Sequence, residues 1–176
     1  MLFRSLSVYN HLDELANNCD IIISCVGNDK NLKEIYLSNE GIISGINNKT
    51  IVIDHTTSSA KISTKLYSKF LEKNSYFFDA PMSGGEVGAK NGSLSLMVGG
   101  NKFYFNQIKS TLQLYSKSLI YMGKSGSGQL AKMVNQICVA TVIQGLAEGL
   151  NFAKKKRIPI YKRGEMLANI VSLTKN

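Results

Sequence analysis

The chain has 176 residues, of which 44% are hydrophobic and 19% charged, and its formal net charge at pH 7 is +9. This composition is typical of a globular protein with one core, and no uninterrupted apolar run approaches the roughly 20 residues that cross a bilayer, so we expect no membrane partner. The basic residues are scattered apart from residues 154–157, and no aromatic residues interleave with that block, so we expect no nucleic-acid partner. The positive charge would also suit an anionic cofactor or substrate.

The three cysteines give no sign of a disulfide framework or a metal site. Cys19, Cys25 and Cys138 form no CxxC pair and are odd in number. The N-terminal segment lacks the long apolar centre of a secretory signal. We therefore expect reduced thiols, no metal and a cytoplasmic location.

Short β-branched or aromatic runs alternate with helical patterns over most of the chain. Asn28 or Asp29 can cap a helix after the first strand, and residues 57–59 can cap a second one. Such alternation indicates an α/β fold with a mostly parallel sheet covered on both faces. We predict strands over residues 21–26, 50–54, 76–78, 93–98 and 119–121, and helices through residues 32–37, 62–71 and 103–114. The second helix would place Ile62, Leu66, Phe70 and Leu71 on one apolar face.

Residues 79–92 form a glycine-rich segment directly after an aromatic strand. Glycines this dense let the chain turn sharply and bring backbone N–H groups close to a ligand. Ser83 adds a hydroxyl that can donate or accept a hydrogen bond. The segment would suit a small anion such as a carboxylate, and the alternative is an ordinary glycine-rich turn between two strands.

From Ser127 to about Lys155 the chain is apolar on nearly every side and contains no proline. A helix of this length would extend about 40 Å. We expect another domain or another subunit to bury it, because few residues follow it in this sequence.

Residues 126–131 match the dinucleotide fingerprint G-x-G-x-x-A and open this helix, with Glu148 about twenty residues further on. The fingerprint requires a second parallel strand that ends at the acidic residue, whereas Glu148 lies inside an unbroken helical pattern. We therefore reject residues 126–131 as a pyrophosphate site.

Five motifs occur together in one order: residues 25–29, 54–58, 79–92, 97–100 and 126–136. In these motifs the chain resembles the β-hydroxyacid dehydrogenase family, in particular 3-hydroxyisobutyrate dehydrogenase-like proteins. The resemblance implies a Rossmann-type doubly wound sheet followed by a long interdomain helix. It also implies hydride transfer between NAD or NADP and a small β-hydroxy acid, and a homo-oligomer in full-length relatives.

The resemblance assigns a substrate site. Lys132 matches the catalytic lysine of the family, and Ser83, Gly84 and Gly85 match its substrate-carboxylate loop. Asn135 and Gln136 follow the lysine by three and four residues, so all three share one helix face and can converge on one small ligand. Burial would lower the lysine pKa and suit it to act as a general base, while the alternative is a lysine that extends to solvent from a helix end.

The resemblance also assigns cofactor contacts to Val26, Gly27, Asn31 and Thr57, which follow predicted strands where such ligands bind. Many relatives have Leu-Pro where this chain has Val26-Gly27. Ordinary strand-end and cap chemistry is the alternative for all four residues. His55 does not match a catalytic position, so we expect it to be structural.

Before Ile21 the sequence has no glycine-rich pyrophosphate turn, which relatives carry in their first βαβ unit. The resemblance to the family also ends at about Lys162. We therefore expect a fragment, with a partial NAD(P)-binding domain at 1–124 and a truncated α-helical domain at 125–176. A catalytically inactive fragment or degenerate relative is the alternative to an active enzyme. A second alternative is a 6-phosphogluconate dehydrogenase-like enzyme, which carries a His-Asn pair in place of Asn135-Gln136. NAD cannot be distinguished from NADP.

Overall fold

A computed structural model describes residues 7–158. The strands are β1 (Ile21–Ser24), β2 (Ile51–Asp54), β3 (Tyr76–Asp79), β4 (Met82–Ser83), β5 (Leu94–Gly99) and β6 (Ser116–Gly123). The helices are α1 (Leu12–Asn17), α2 (Asp29–Leu37), α3 (Ile42–Gly45), α4 (Ala60–Leu71), α5 (Gly85–Lys90), α6 (Lys102–Gln113) and α7 (Ser127–Lys155). Every predicted strand and helix is found, and the predicted α/β class is confirmed.

The sheet is mixed, which corrects the expectation of a mostly parallel one. Strands β1, β2 and β3 are parallel neighbours, and β6 runs parallel to β5. However, β5 is antiparallel to β3, where Asp79 lies opposite Gly99, and antiparallel to the two-residue β4. The chain leaves β3 through the glycine-rich segment and turns back without a full crossover helix, so β5 enters the sheet in the opposite direction.

Helices cover both faces of the sheet, as the alternation of strands and helices predicts. Successive strand residues point to opposite faces, so Val52 and Phe77 pack with α1–α4 while Ile53 and Phe78 pack with α6. The caps also form as expected, because Asn28 accepts from the backbone N–H of Lys30, and Ser59 caps α4.

Three local expectations need correction. Leu71 is 49% exposed rather than part of the apolar face of α4. The glycine-rich segment is more than a turn, because it contains β4 and α5. Helices α1 and α3 were not predicted, because each is six residues or shorter and carries little periodic signal.

Helix α7 is continuous over 29 residues, as the sequence predicts. The chain divides into two compact units, the first ending at Lys132 and the second beginning at Met133, so α7 contributes to both. The domain division at 124/125 stays a prediction, and the later part of its second domain, with the residues from Lys162, lies outside the described residues.

By length and composition alone α7 could cross a membrane, because its most apolar window has a mean hydropathy of 1.3 and is only 6% buried. This qualifies the expectation drawn from uninterrupted apolar runs. The finding is weak, since core helices of soluble proteins meet the same criteria, and Gln136, Gln144 and Glu148 within α7 would be costly in hydrocarbon.

The start of α7 is fixed by a buried carboxylate at the end of β3. Asp79 accepts hydrogen bonds from the backbone N–H of Gly126 at 2.7 Å and of Gln129 at 3.1 Å, and the N–H of Gly128 also points to it. These N–H groups lie at the start of the helix, where backbone N–H groups have no carbonyl acceptor within the helix. The helix dipole also favours a negative charge at this end. Burial raises the pKa of Asp79, and the N–H donors oppose that rise by favouring the charged form.

Gly128 allows this close approach. A Cβ atom at this position would lie 2.6 Å from the Asp79 carbonyl oxygen and would also collide with the carbonyl oxygen of Met97. The glycines of residues 126–131 therefore serve helix packing, and the chain's own carboxylate occupies the place that a pyrophosphate would need. This supports the rejection of the fingerprint on structural grounds.

Replacement of Asp79 by alanine should destabilise the protein by about 3 kcal/mol, because it leaves several buried N–H groups without an acceptor. Asp79→Asn, which keeps one acceptor oxygen, should cost less. Urea unfolding followed by circular dichroism measures the effect, and Asp20→Ala on the exposed surface serves as the control, with a change within about 0.5 kcal/mol. Equal stability of Asp79→Ala and Asp20→Ala would contradict the role of this carboxylate.

Candidate functional site

Lys132 is held against the glycine-rich segment. Its Nζ donates to the carbonyl oxygen of Met82 at 2.8 Å and to Ser83 Oγ at 3.0 Å. The side chain lies in α7, six residues into the helix, and only 8% of the residue is exposed. Burial lowers the pKa of this ammonium group, because no carboxylate is among its described partners to favour the charged form.

The segment that receives the lysine is shaped by a positive backbone angle. Gly84 has φ 125°, a conformation that L side chains rarely adopt, and it lets the chain pass from β4 into α5. Gly85 follows with φ 60°. Ser83 pairs with Ser95 of β5, so its hydroxyl projects from a strand that the sheet holds in place.

His55 anchors the other end of this segment. Its Nδ1 lies 2.6 Å from the Ala80 carbonyl oxygen, and its Nε2 lies 2.9 Å from Tyr115 Oη. Both ring nitrogens are thereby engaged, and burial lowers the pKa of the imidazole. These contacts are those of the structural residue that the sequence predicts.

Asn135 and Gln136 follow on α7, in the second unit. Asn135 is half-buried and Gln136 exposed, and Asn135 Nδ2 lies 3.5 Å from Gln136 Oε1. The helix confirms their spacing of three and four residues from Lys132. Their convergence with Ser83 on one ligand stays a prediction.

The predicted cofactor residues lie where β1 and β2 end. Val26 donates its N–H to Thr56 Oγ1 at 2.9 Å, which ties the loop after β1 to the loop after β2. Gly27 lies against the Asn31 side chain, where a Cβ atom would be 2.9 Å from Asn31 Oδ1. Thr57 is exposed beside Thr56. The four residues are thus at one edge of the sheet, and cofactor contact by them stays a prediction.

Gln129, which the sequence did not single out, connects the two halves of the site. It is fully buried, donates from Nε2 to the Thr56 carbonyl oxygen at 2.7 Å, and accepts at Oε1 from the N–H of Ser58 at 3.0 Å. Lys132 is three residues further on the same helix, so the two side chains leave neighbouring positions of one face. A buried amide in an apolar helix was the signal that could have identified it.

Two buried polar atoms at this edge have no hydrogen-bond partner within residues 7–158: Ser58 Oγ and Asp54 Oδ2. The other Asp54 oxygen accepts from Ser24 Oγ and from Thr56 Oγ1, both at 2.7 Å. Burial raises the pKa of Asp54, which favours its neutral form. Unsatisfied buried polar groups are costly, so each of these two atoms would gain from a polar partner.

Comparison with known proteins identifies the family of the chain. A family described as the NAD binding domain of 6-phosphogluconate dehydrogenase matches residues 2–123. An uncharacterized oxidoreductase of Shewanella frigidimarina (strain NCIMB 400) is 45% identical over 141 residues, which cover 80% of this chain and 48% of that protein. The mitochondrial 3-hydroxyisobutyrate dehydrogenase of Drosophila melanogaster is 34% identical over 153 residues, which cover 87% of this chain and 47% of that protein.

Among solved structures, the Mycobacterium tuberculosis 3-hydroxyisobutyrate dehydrogenase with L-serine aligns at a TM-score of 0.80 and 24% identity, over 86% of this chain and 51% of that one. At this identity the likeness shows the fold alone. The chain spans about half the length of the curated relatives it matches. It belongs to the family described as the NAD binding domain of 6-phosphogluconate dehydrogenase, and its homologues are 3-hydroxyisobutyrate dehydrogenase-like oxidoreductases.

Proposed function

We propose that this chain carries the substrate-side and nicotinamide-side residues of an oxidoreductase that acts on a small β-hydroxy acid with NAD or NADP. The observation that carries the proposal is the placement of Lys132. Its amine contacts Ser83, and Gln129 on the same helix binds the loop at residues 56–58. One helix therefore links an anion-suited loop to a strand edge suited to a nucleotide cofactor.

The residues at this strand edge fit such a cofactor. Ser58 Oγ is buried and unpartnered among the described residues, and Thr57 beside it is exposed. We assign Val26, Gly27, Asn31 and Thr57 to line the cofactor, and Ser58 to donate to or accept from its polar groups. The cofactor would supply the acceptor for a hydride.

The substrate side follows from charge and geometry. Backbone N–H groups at Gly84 and Gly85 and the Ser83 hydroxyl are suited to the carboxylate of a hydroxy acid. The buried amine of Lys132 has a lowered pKa, so its neutral form can take the proton from the substrate hydroxyl as the hydride leaves. Asn135 and Gln136 are proposed to orient the same substrate. This assignment favours the 3-hydroxyisobutyrate dehydrogenase type over the 6-phosphogluconate dehydrogenase type.

Removal of the unpartnered hydroxyl tests the cofactor half. Titration of the purified chain with NADH and with NADPH, followed by fluorescence, should show binding. Ser58→Ala should weaken cofactor binding by about fivefold, because it removes roughly one hydrogen bond to the cofactor. It should leave the folding stability of the chain unchanged. Ser68→Ala on the exposed side of α4 is the matched control and should leave binding unchanged. A folded wild-type sample that binds neither cofactor would refute the cofactor site in this chain and support the inactive-fragment alternative.

Replacement of the proposed base tests the substrate half. Lys132→Met should lower the turnover of 3-hydroxyisobutyrate by about 10² to 10⁴, the range for loss of a general base, while NADH binding stays the same. Wild-type kcat/KM should rise with pH as the lysine loses its proton, at a pH below the ordinary lysine pKa.

Lys124→Met provides the control, because this lysine is exposed and lies just before α7. It should retain wild-type turnover. The role of Lys132 as base would be contradicted if Lys132→Met were as active as Lys124→Met. Absence of turnover by a folded, cofactor-bound wild-type sample would contradict catalysis by this chain.

A further inference from the structure

A lysine-lined groove lies along α4, on the face of the sheet that α1–α4 cover. Its main part is a cleft of about 460 Å³ between α4 and the segment that follows α2. We use the name lysine groove for two facing walls. One wall is the lysine stripe, Lys61, Lys65, Lys69 and Lys73, and the other consists of Ser38, Asn39 and Ser44. A second cleft of about 200 Å³ continues from the first one, shares Lys65 and includes Lys61.

The main cleft is distinct from the strand edge where the cofactor is proposed to bind, whereas the smaller cleft reaches that edge at Asp29 and Ser59. Helix α2 begins at that edge, next to Val26 and Gly27, and the main cleft is lined by the residues at and after its other end, from Tyr36 to Asn39. A helix of nine residues separates the two places by about 13 Å. The main cleft, which Lys65, Lys69 and Lys73 line, is therefore a candidate site independent of the proposed cofactor site.

The spacing of these lysines is electrostatically unfavourable within the chain itself. Lys61, Lys65 and Lys69 recur every four residues on one face of α4, and Lys73 follows in the turn after the helix. Like charges at a spacing of four helical residues repel. Of these four lysines only Lys69 has an ion-pair partner within residues 7–158, Glu72 at 2.9 Å. Lys61, Lys65 and Lys73 have none among the described residues.

The helix dipole accounts for only half of the stripe. Cations are favourable near a helix C-terminus, which suits Lys69 and Lys73 at the end of α4. Lys61 lies in the first turn, where the dipole disfavours a positive charge and where α4 has no acidic residue. Lys65 lies in the middle of the helix. An anionic ligand would relieve the repulsion that remains among these lysines, of which only Lys69 has an ion-pair partner among the described residues.

The opposite charges near the groove are few. Asp29 lines the smaller cleft, where its carboxylate accepts from the Ser59 N–H at 2.8 Å and from Ser59 Oγ, and Lys33 also faces it. Glu72 is paired with Lys69. Five lysines therefore face two carboxylates, and both carboxylates already have partners.

The shape of the groove selects the class of anion. From Lys61 to Lys69 the stripe extends about 12 Å, which exceeds a single phosphate and suits a linear one. Hydroxyl and amide groups on the facing wall can bind phosphate oxygens. The one aromatic residue that lines the clefts, Tyr36, is fully buried, so the groove offers no ring on which a nucleic-acid base could stack.

We infer that the lysine groove binds a chain of condensed phosphates, either free inorganic polyphosphate or the phosphate tail of a nucleotide. Binding would be electrostatic, so it should weaken steeply as salt concentration rises. Because the lysines are exposed at the protein surface, they can be replaced without loss of the fold.

Calorimetric titration of the purified chain with inorganic tripolyphosphate tests the inference. The wild-type chain should bind, and the triple variant Lys65→Gln, Lys69→Gln, Lys73→Gln should bind at least about tenfold more weakly. The negative slope of log affinity against log salt concentration should become shallower by about one for each lysine removed. Absence of wild-type binding at about 50 mM salt would overturn the inference.

The chain offers a matched control. The triple variant Lys154→Gln, Lys155→Gln, Lys156→Gln removes the same formal charge from the other basic block and should bind as the wild type does. If both triple variants lost the same affinity for tripolyphosphate, binding would depend on net charge alone, and the inference of a groove site would be overturned. Circular dichroism of each variant verifies that it is folded.

Two further titrations distinguish the sources. If ATP binds more tightly than tripolyphosphate and this binding depends on the three groove lysines, the ligand is the phosphate tail of a nucleotide. If ATP binds equally or more weakly, the ligand is free polyphosphate. An oligothymidylate with the same number of phosphates should bind more weakly than inorganic polyphosphate. Tighter binding of the oligothymidylate would overturn the assignment to condensed phosphates in favour of nucleic acid.

Discussion

The structure of the candidate site depends on one interaction, the Asp79 carboxylate at the N-terminus of α7. A helix start leaves several N–H groups without partners, and the buried carboxylate accepts from those of Gly126 and Gln129. The same residue ends β3, so the interaction joins the sheet directly to the long helix. Gly128 is required there because any side chain would collide with the end of the strand. The position and direction of α7 within the first unit follow from this contact.

Two functional contacts then come from successive parts of one helix. Gln129 reaches the loop after β2, and Lys132, one turn later, reaches Met82 and Ser83. Because Asp79 fixes the first turn, a small displacement of α7 would move both side chains together. In the proposed function, one rigid element would hold the nicotinamide side and the substrate side in a fixed geometry, which hydride transfer needs.

Much of this could be predicted from the sequence, and the limits have physical reasons. Strand runs, the caps at Asn28 and Ser59 and the length of α7 are local signals, and they were correct. The resemblance, and not any pattern in the chain, assigned Lys132 and Ser83 to one site, and their direct contact was not predicted. Asp79 and Gln129 were missed because their partners are about 50 and 70 residues away, and the antiparallel entry of β5 depends on a turn whose path glycines leave open.

The lowered pKa of Lys132 is the property on which the account depends most directly, and NMR can measure it without turnover. Titration of the lysine side chains by ¹³C NMR, with Lys132→Met to assign the resonance, would give the pKa of this amine in the folded chain. We expect Lys132 to titrate below the exposed lysines, because burial against Met82 and Ser83 disfavours its charged form. A Lys132 pKa equal to that of the exposed lysines would contradict it.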